Sequence, residues 1–152
     1  MNTFKQVVER FQTACNATPA ISEFAYGTLD KLDATTQNVK YSYMFLRPLA
    51  SPGIILNPNG VSGTRGLTFE LYSLDIPKLT EEDYLSVMSQ CEQNLYAVIS
   101  YFNVGPYQRD SFLTLNTMVP VNEAFNDRVY GWVATIDYTE TGVLDYCSFP
   151  SY

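Results

Sequence analysis

The chain has 152 residues, 46% of them hydrophobic, which suffices for one domain with a real core and is too short for two ordinary ones. Its formal charge of -7, nine scattered basic residues and absence of histidine argue against a nucleic-acid surface, which needs clustered Lys and Arg to neutralise phosphates. With only 16% charged residues against 14% aromatic ones, some aromatic surface is expected to be covered by a partner.

Phe4, Val7, Val8, Phe11 and Cys15 recur at helical spacing, and Thr3 with Gln6 forms a T-x-x-Q capping box, so the first helix is predicted over 4–15. Past Pro19, Phe24-Ala-Tyr-Gly27 reads as a short extended piece, and the polar stretch Leu29 to Asn38 reads as a loop. In Tyr41 to Leu46 the residues Tyr41, Tyr43 and Phe45 alternate with Ser42, Met44 and Leu46, the period of a strand. From Pro48 to Gly66 the composition shifts to Pro, Gly, Asn and Ser, which predicts a long loop at 48–66, either a partner contact or a disordered hairpin tip. Leu67 to Leu74 returns as a strand.

Thr80 as N-cap, followed by Glu81, Glu82 and Asp83, opens the longest helix, because acids in the first turn favour the positive end of its dipole. Leu85, Met88, Cys91, Leu95, Val98, Ile99 and Phe102 trace one stripe along it, and Gly105-Pro106 stops it. Two strands follow, Phe112 to Val119 and Arg128 to Tyr138, separated by Pro120 to Asp127. In the second, Trp132 shares a face with Tyr130, Ala134 and Ile136, while Gly131 on the other face makes room for a helix or a neighbouring strand. The tail at 143–152 carries apolar residues expected to be pinned to something. The order predicts an α+β fold: an antiparallel sheet of about four to five strands with two helices on one face, the other face being left open.

Chemistry is sparse. Without histidine the usual triads and His-metal sites are excluded. Cys15, Cys91 and Cys147 are odd in number, far apart and without C-x-x-C spacing, so they read as free thiols of a reducing compartment. The first residues lack a signal-peptide pattern and no apolar run reaches the length of a membrane span, so a soluble protein that is not exported is expected. Gly60-Val-Ser-Gly63 and Gly63-Thr-Arg-Gly66 do not precede a helix and read as turns, not phosphate loops. Asp30 with Asp33, and Glu81 to Asp83, are the densest acids, and loop solvation and helix capping explain them. No catalytic, cofactor-binding or metal-binding residue is assigned.

The opening helix, then Pro19-Ala-Ile-Ser-Glu-Phe-Ala-Tyr-Gly27, Leu29-Asp-Lys-Leu-Asp33 and Tyr41-Ser-Tyr-Met-Phe-Leu-Arg-Pro48, resembles small tailed-phage proteins of the tail-terminator and neck (head–tail connector) type. So do Phe125-Asn-Asp-Arg-Val-Tyr-Gly-Trp132 and the closing Cys147-Ser-Phe-Pro150. The resemblance implies a tail-terminator-like α+β protomer of a six-fold or twelve-fold ring in the virion. Such a ring joins or terminates the tail, contacts portal, neck or tail-tube proteins and lets DNA pass without specific binding, with no catalytic residues and no membrane. The 48–66 excursion departs from the shorter-looped pattern of that family.

Ring contacts are expected from Pro52, Ile54, Ile55, Asn57, Phe125, Trp132, Tyr146 and Phe149. The alternative is a small monomeric adaptor that binds a protein segment at an exposed sheet edge.

Overall fold

The structure is a computed structural model that describes residues 1–35, 39–58, 62–76, 81–124 and 129–143. In chain order it comprises α1 (Phe4–Asn16), β1 (Glu23–Tyr26), α2 (Leu29–Thr35), β2 (Tyr43–Leu56), β3 (Ser62–Asp75), α3 (Glu81–Asn103), β4 (Ser111–Ala124) and β5 (Val129–Val143).

The α1 helix starts where the sequence places it. The Gln6 amide donates to Thr3 Oγ1 at 3.3 Å and the Thr3 amide donates to Gln6 Oε1 at 2.8 Å, so both partners of the capping box satisfy a free backbone donor. Its inner stripe buries Val7, Val8, Phe11, Ala14 and Cys15. On α3 the buried positions are Met88, Cys91, Leu95, Val98 and Phe102, whereas Leu85, expected on the same stripe, is 65% exposed. The first turn of α3 meets the sheet through Tyr84, whose ring lies 5.0 Å from that of Tyr130 and whose hydroxyl donates to Asn122 Oδ1 at 3.0 Å, so Leu85 projects from the side of the helix; Thr80 lies outside the described residues.

The α+β class holds, and three of its expected details change. The sheet is mixed, in the order β1-β2-β3-β5-β4, because β1 runs parallel to β2 while the other neighbours are antiparallel. A parallel pair needs a crossover, and residues 27–42 supply one that contains α2. The stretch expected to be a loop from Leu29 to Asn38 is therefore helical over Leu29–Thr35. Thr28 starts it: its carbonyl accepts the Leu32 amide at 3.0 Å, and its hydroxyl faces the Lys31 amide at 3.4 Å.

The helices also occupy both faces of the sheet rather than one. Met44, Leu46, Phe69, Leu71, Ala134 and Ile136 form the main core with α1 and α3. On the opposite face Leu32 of α2 is fully buried with Tyr43, Phe45, Tyr72, Leu74 and Val129. Farther along that face Thr68 donates to Asp137 at 2.7 Å, Asn116 to the same carboxylate at 2.8 Å, and Tyr72 to Glu70 at 2.5 Å, with Phe112 and Val119 of β4 exposed on the same side.

The largest departure concerns the 48–66 excursion, which is mostly strand. Gly53, Ile54, Ile55 and Leu56 pair in register with Gly66, Arg65, Thr64 and Gly63. Gly63 to Gly66, read as a turn, thus lies inside β3. The residues that signal turns fall at irregularities: register shifts occur between Pro48 and Ala50 and between Ala50 and Gly53. Beyond Leu46, β2 has no partner in β1, so its prolines sit on an edge, where a missing N–H breaks no ladder.

The Gly131 to Trp132 pair is resolved in the same geometric terms. Gly131 has φ +153°, and a Cβ there would stand 1.9 Å from the Ser73 carbonyl oxygen and 3.1 Å from Leu74 Cα, so it is the neighbouring strand β3 that comes close. Trp132, the chain's single tryptophan, packs on the main core and donates its Nε1–H to the Met88 carbonyl at 2.9 Å, tying β5 to α3.

At the other edge, the start of β4 is held from within the chain. Asn103, the last residue of α3, donates Nδ2–H to the Leu113 carbonyl at 2.9 Å and accepts the Leu113 amide at 2.7 Å. The Ser111 amide donates to the Tyr107 carbonyl at 3.1 Å, and Pro120 brings no donor at all.

Candidate interaction surface

The outer half of the β2–β3 hairpin forms an arm whose apolar residues are left in solvent. Ile54, Ile55 and Leu56 are 45%, 77% and 50% exposed, in a row. Single exposed aliphatics are ordinary, but a run of three on an edge strand is the pattern that marks an interaction site. Alternation sends Ile55 to one face and Ile54 and Leu56 to the other, so no single neighbouring element of the same domain covers all of them. Closer to the body, Phe4, Pro48, Leu49, Leu67 and Phe69 line an open cleft of about 290 Å³ beside the first bulge.

Electrostatically the arm is nearly neutral. Arg65 is the single charged residue between 48 and 69, and it donates to the Asn2 carbonyl, which brings the N-terminal segment across the sheet. Asn57 serves the hairpin itself: its amide donates to the Ser62 carbonyl at 2.8 Å and its Nδ2 to Ser62 Oγ at 2.7 Å.

The opposite end of the same two strands carries a second concavity, of about 490 Å³. Tyr41, Asp75, Ile76, Asp83, Ser86 and Val87 line it. Ile76 on its rim is 38% exposed, while Leu85, 65% exposed, projects from the other side of α3. Asp75 is held by its surroundings, accepting from Ser42 Oγ at 2.7 Å and from the Ile76 amide at 2.8 Å.

A polar cluster links α1 to β5. Arg10 grips Asp110 with two bonds of 2.8 and 2.9 Å, and its guanidinium lies 4.5 Å from the centre of the Tyr107 ring. That hydrogen-bonded pairing holds the Asp110 carboxyl below the usual carboxylate range and raises Arg10. Burial, then the bond to Glu140, pushes the Tyr138 hydroxyl up. Glu140 is almost wholly enclosed and takes bonds from the Asn2 amide at 2.6 Å, Asn2 Nδ2 at 3.0 Å and Tyr138 at 2.5 Å. These oxygens are committed to one another and to the backbone, which is the arrangement of a structural network.

The thiols follow suit. Cys15 and Cys91 are buried, and that burial pushes both up to about 12, far from a reactive thiolate. No group of acids or thiols that could hold a metal ion occurs among the described residues. No described helix is long and apolar enough to cross a membrane.

Of the expected contact residues, Ile54 and Ile55 are brought together on the arm, Pro52 lies in the same strand, and Asn57 closes its turn. Trp132 is turned inward against α3. Phe125, Tyr146 and Phe149 lie outside the described residues. Leu56, Leu49 and Leu85 were missed. The run Ile54-Ile55-Leu56 between Gly53 and Asn57 was visible in the sequence, but its reading as a loop hid the strand that displays it. The sequence matches no protein-family model and no curated protein.

Proposed function

We propose that the chain is a non-enzymatic structural subunit of a tailed-phage virion, one protomer of an oligomeric ring at the neck or the tail end. In that role the ring joins or terminates the tail and contributes a stretch of DNA conduit. The observation that carries the reading is the arm, on which three consecutive large aliphatics stand exposed in a protomer whose core is otherwise well buried. A heterologous contact repeated about an axis covers such a surface in every copy. The phage placement rests on the sequence resemblance. The committed polar cluster and the buried thiols favour a structural role over a catalytic one.

Proteomic mass spectrometry of purified virions, with native mass spectrometry of the isolated protein, tests this. The chain is expected in particles and as a closed oligomer. Absence from particles refutes the virion role.

The second reading, a monomeric adaptor that adds a partner's strand to its sheet, has one observation in its favour: residues 47–56 of β2 have no neighbour in β1. A protein that stays monomeric and captures an extended peptide on that edge would select it.

A further inference from the structure

Residues 1–3 lie across β5 and β3 and are fastened there chiefly by one residue. The Asn2 amide and Asn2 Nδ2 donate to Glu140 Oε1 at 2.6 and 3.0 Å, and the Asn2 carbonyl accepts from Arg65. Arg65 and Glu140 are themselves direct partners in the β3–β5 register. Side chains at such positions start about 5 Å apart at Cβ, and opposite charges there attract. Yet the ion pairs among the described residues join Lys5 to Glu9, Arg10 to Asp110 and Arg47 to Glu70, while Arg65 meets Glu140 through Asn2. We infer that residues 1 and 2 form a releasable strap, and that Arg65 and Glu140 close on each other as a direct ion pair when it lifts.

Three observations support the two states. The hold of the strap is polar: Met1, Asn2 and Thr3 line an open cavity of about 580 Å³ with Asp110 and Glu140, so the segment is tied by bonds more than by close packing. Its other bond, from the Met1 ammonium to the Val143 carbonyl at 2.8 Å, is exposed, and water can replace it. Second, a hinge is built in. Thr3 is extended at φ -72° and ψ 165°, and its capping box with Gln6 closes without residues 1 and 2, so α1 keeps its start when they depart. Third, Glu140 is 1% exposed, and a carboxylate so placed needs a partner in both states. Tyr138 serves Oε2, and the nearby Arg10 is held twice by Asp110, which leaves the cation opposite on β3 to take the place of Asn2.

Register also fixes what the strap covers. Ile54 pairs with Arg65, and Leu56 with Gly63, the partner of Gly142, so the strap lies on the face of the sheet that carries Ile54 and Leu56. Its release widens that face of the arm, whether or not the chain belongs to a virion.

Asn2→Pro, made in the full chain, removes both donors to Glu140 and leaves the capping box in place. Urea midpoints of this protein and of the unmodified one are compared with and without Arg65→Met, at a position that is only partly buried. Asn2→Pro alone is expected to lower the midpoint by no more than about 0.5 M, because the ion pair takes over. Arg65→Met is expected to cost about 0.5 M more in the Asn2→Pro protein than in the unmodified one, and Arg65→Lys, which keeps a cation opposite Glu140, to recover most of that loss. If Arg65 served merely to hold the Asn2 carbonyl, its removal would cost less once the strap is loose; that order of losses, or equal losses, overturns the inference. A larger fall from Asn2→Pro alone overturns it as well, and so does a lysine that recovers nothing.

Discussion

Replacing Gly131 with alanine is expected to lower folding stability by about 3–5 kcal/mol. One part is local, since an L-residue held at a strained positive φ costs about 1–3 kcal/mol. The other part is the collision: the new Cβ would meet the Ser73 carbonyl oxygen at 1.9 Å, its carbon at 2.9 Å and Leu74 Cα at 3.1 Å, all of them backbone. No side chain can swing away, so β3 and β5 must part locally and weaken ladder bonds worth about 1 kcal/mol each. Against a total stability of about 5–15 kcal/mol this is an exceptional loss for one methyl group. In urea, with a slope of about 2 kcal/mol per molar for a domain of this size, the midpoint is expected to fall by about 2 M. A shift below about 0.5 M, with the slope unchanged, would refute the close-approach account.

Leu32→Ala removes the side chain that holds α2 on the sheet, which is fully buried, and is expected to cost about 2–4 kcal/mol. Amide exchange should then accelerate in Leu29–Thr35 and at Tyr43 and Phe45 before it does in α3; uniform acceleration would show that α2 is not a separate anchor. Arg10→Met should flatten the acid limb of the stability curve. Asp110 has its carboxyl lowered in the folded state by the Arg10 pairing, so this contribution is full above its unfolded value of about 4 and is lost as pH falls through the depressed folded one. Urea midpoints measured from pH 6 to pH 2 should therefore converge for the two proteins in acid, and a constant difference would exclude the pairing as the cause.

Much of the body of the fold could be read from local patterns, and the errors share a cause. The capping box of Thr3 and Gln6 and the stripe from Met88 to Phe102 are contained within single elements, so periodicity identifies them. The parallel pairing of β1 with β2 depends on which strand lies beside which, and nothing in Phe24-Ala-Tyr-Gly27 encodes that neighbour. The arm is the more instructive failure. Pro48, Pro52, Gly53, Gly63 and Gly66 are poor strand residues by propensity, yet β3 is held by β5 along its whole length and carries the end of β2 with it. Tertiary pairing overrode composition: Ile54 and Ile55 were expected as contacts on a loop, and the strand that displays them beside Leu56 was not. Leu85 was misplaced for another reason: three residues before Met88 it stands at the margin of the α3 stripe, and in the first turn it is Tyr84 that meets β5.

The Asn103 clamp narrows one margin of the sheet. One amide side chain occupies both backbone groups of Leu113, and the Ser111 amide is turned to the Tyr107 carbonyl, so at the start of β4 these groups already have partners inside the chain. A strand arriving on that flank finds Leu113 closed to it, and further along the edge Pro120 withholds one more donor.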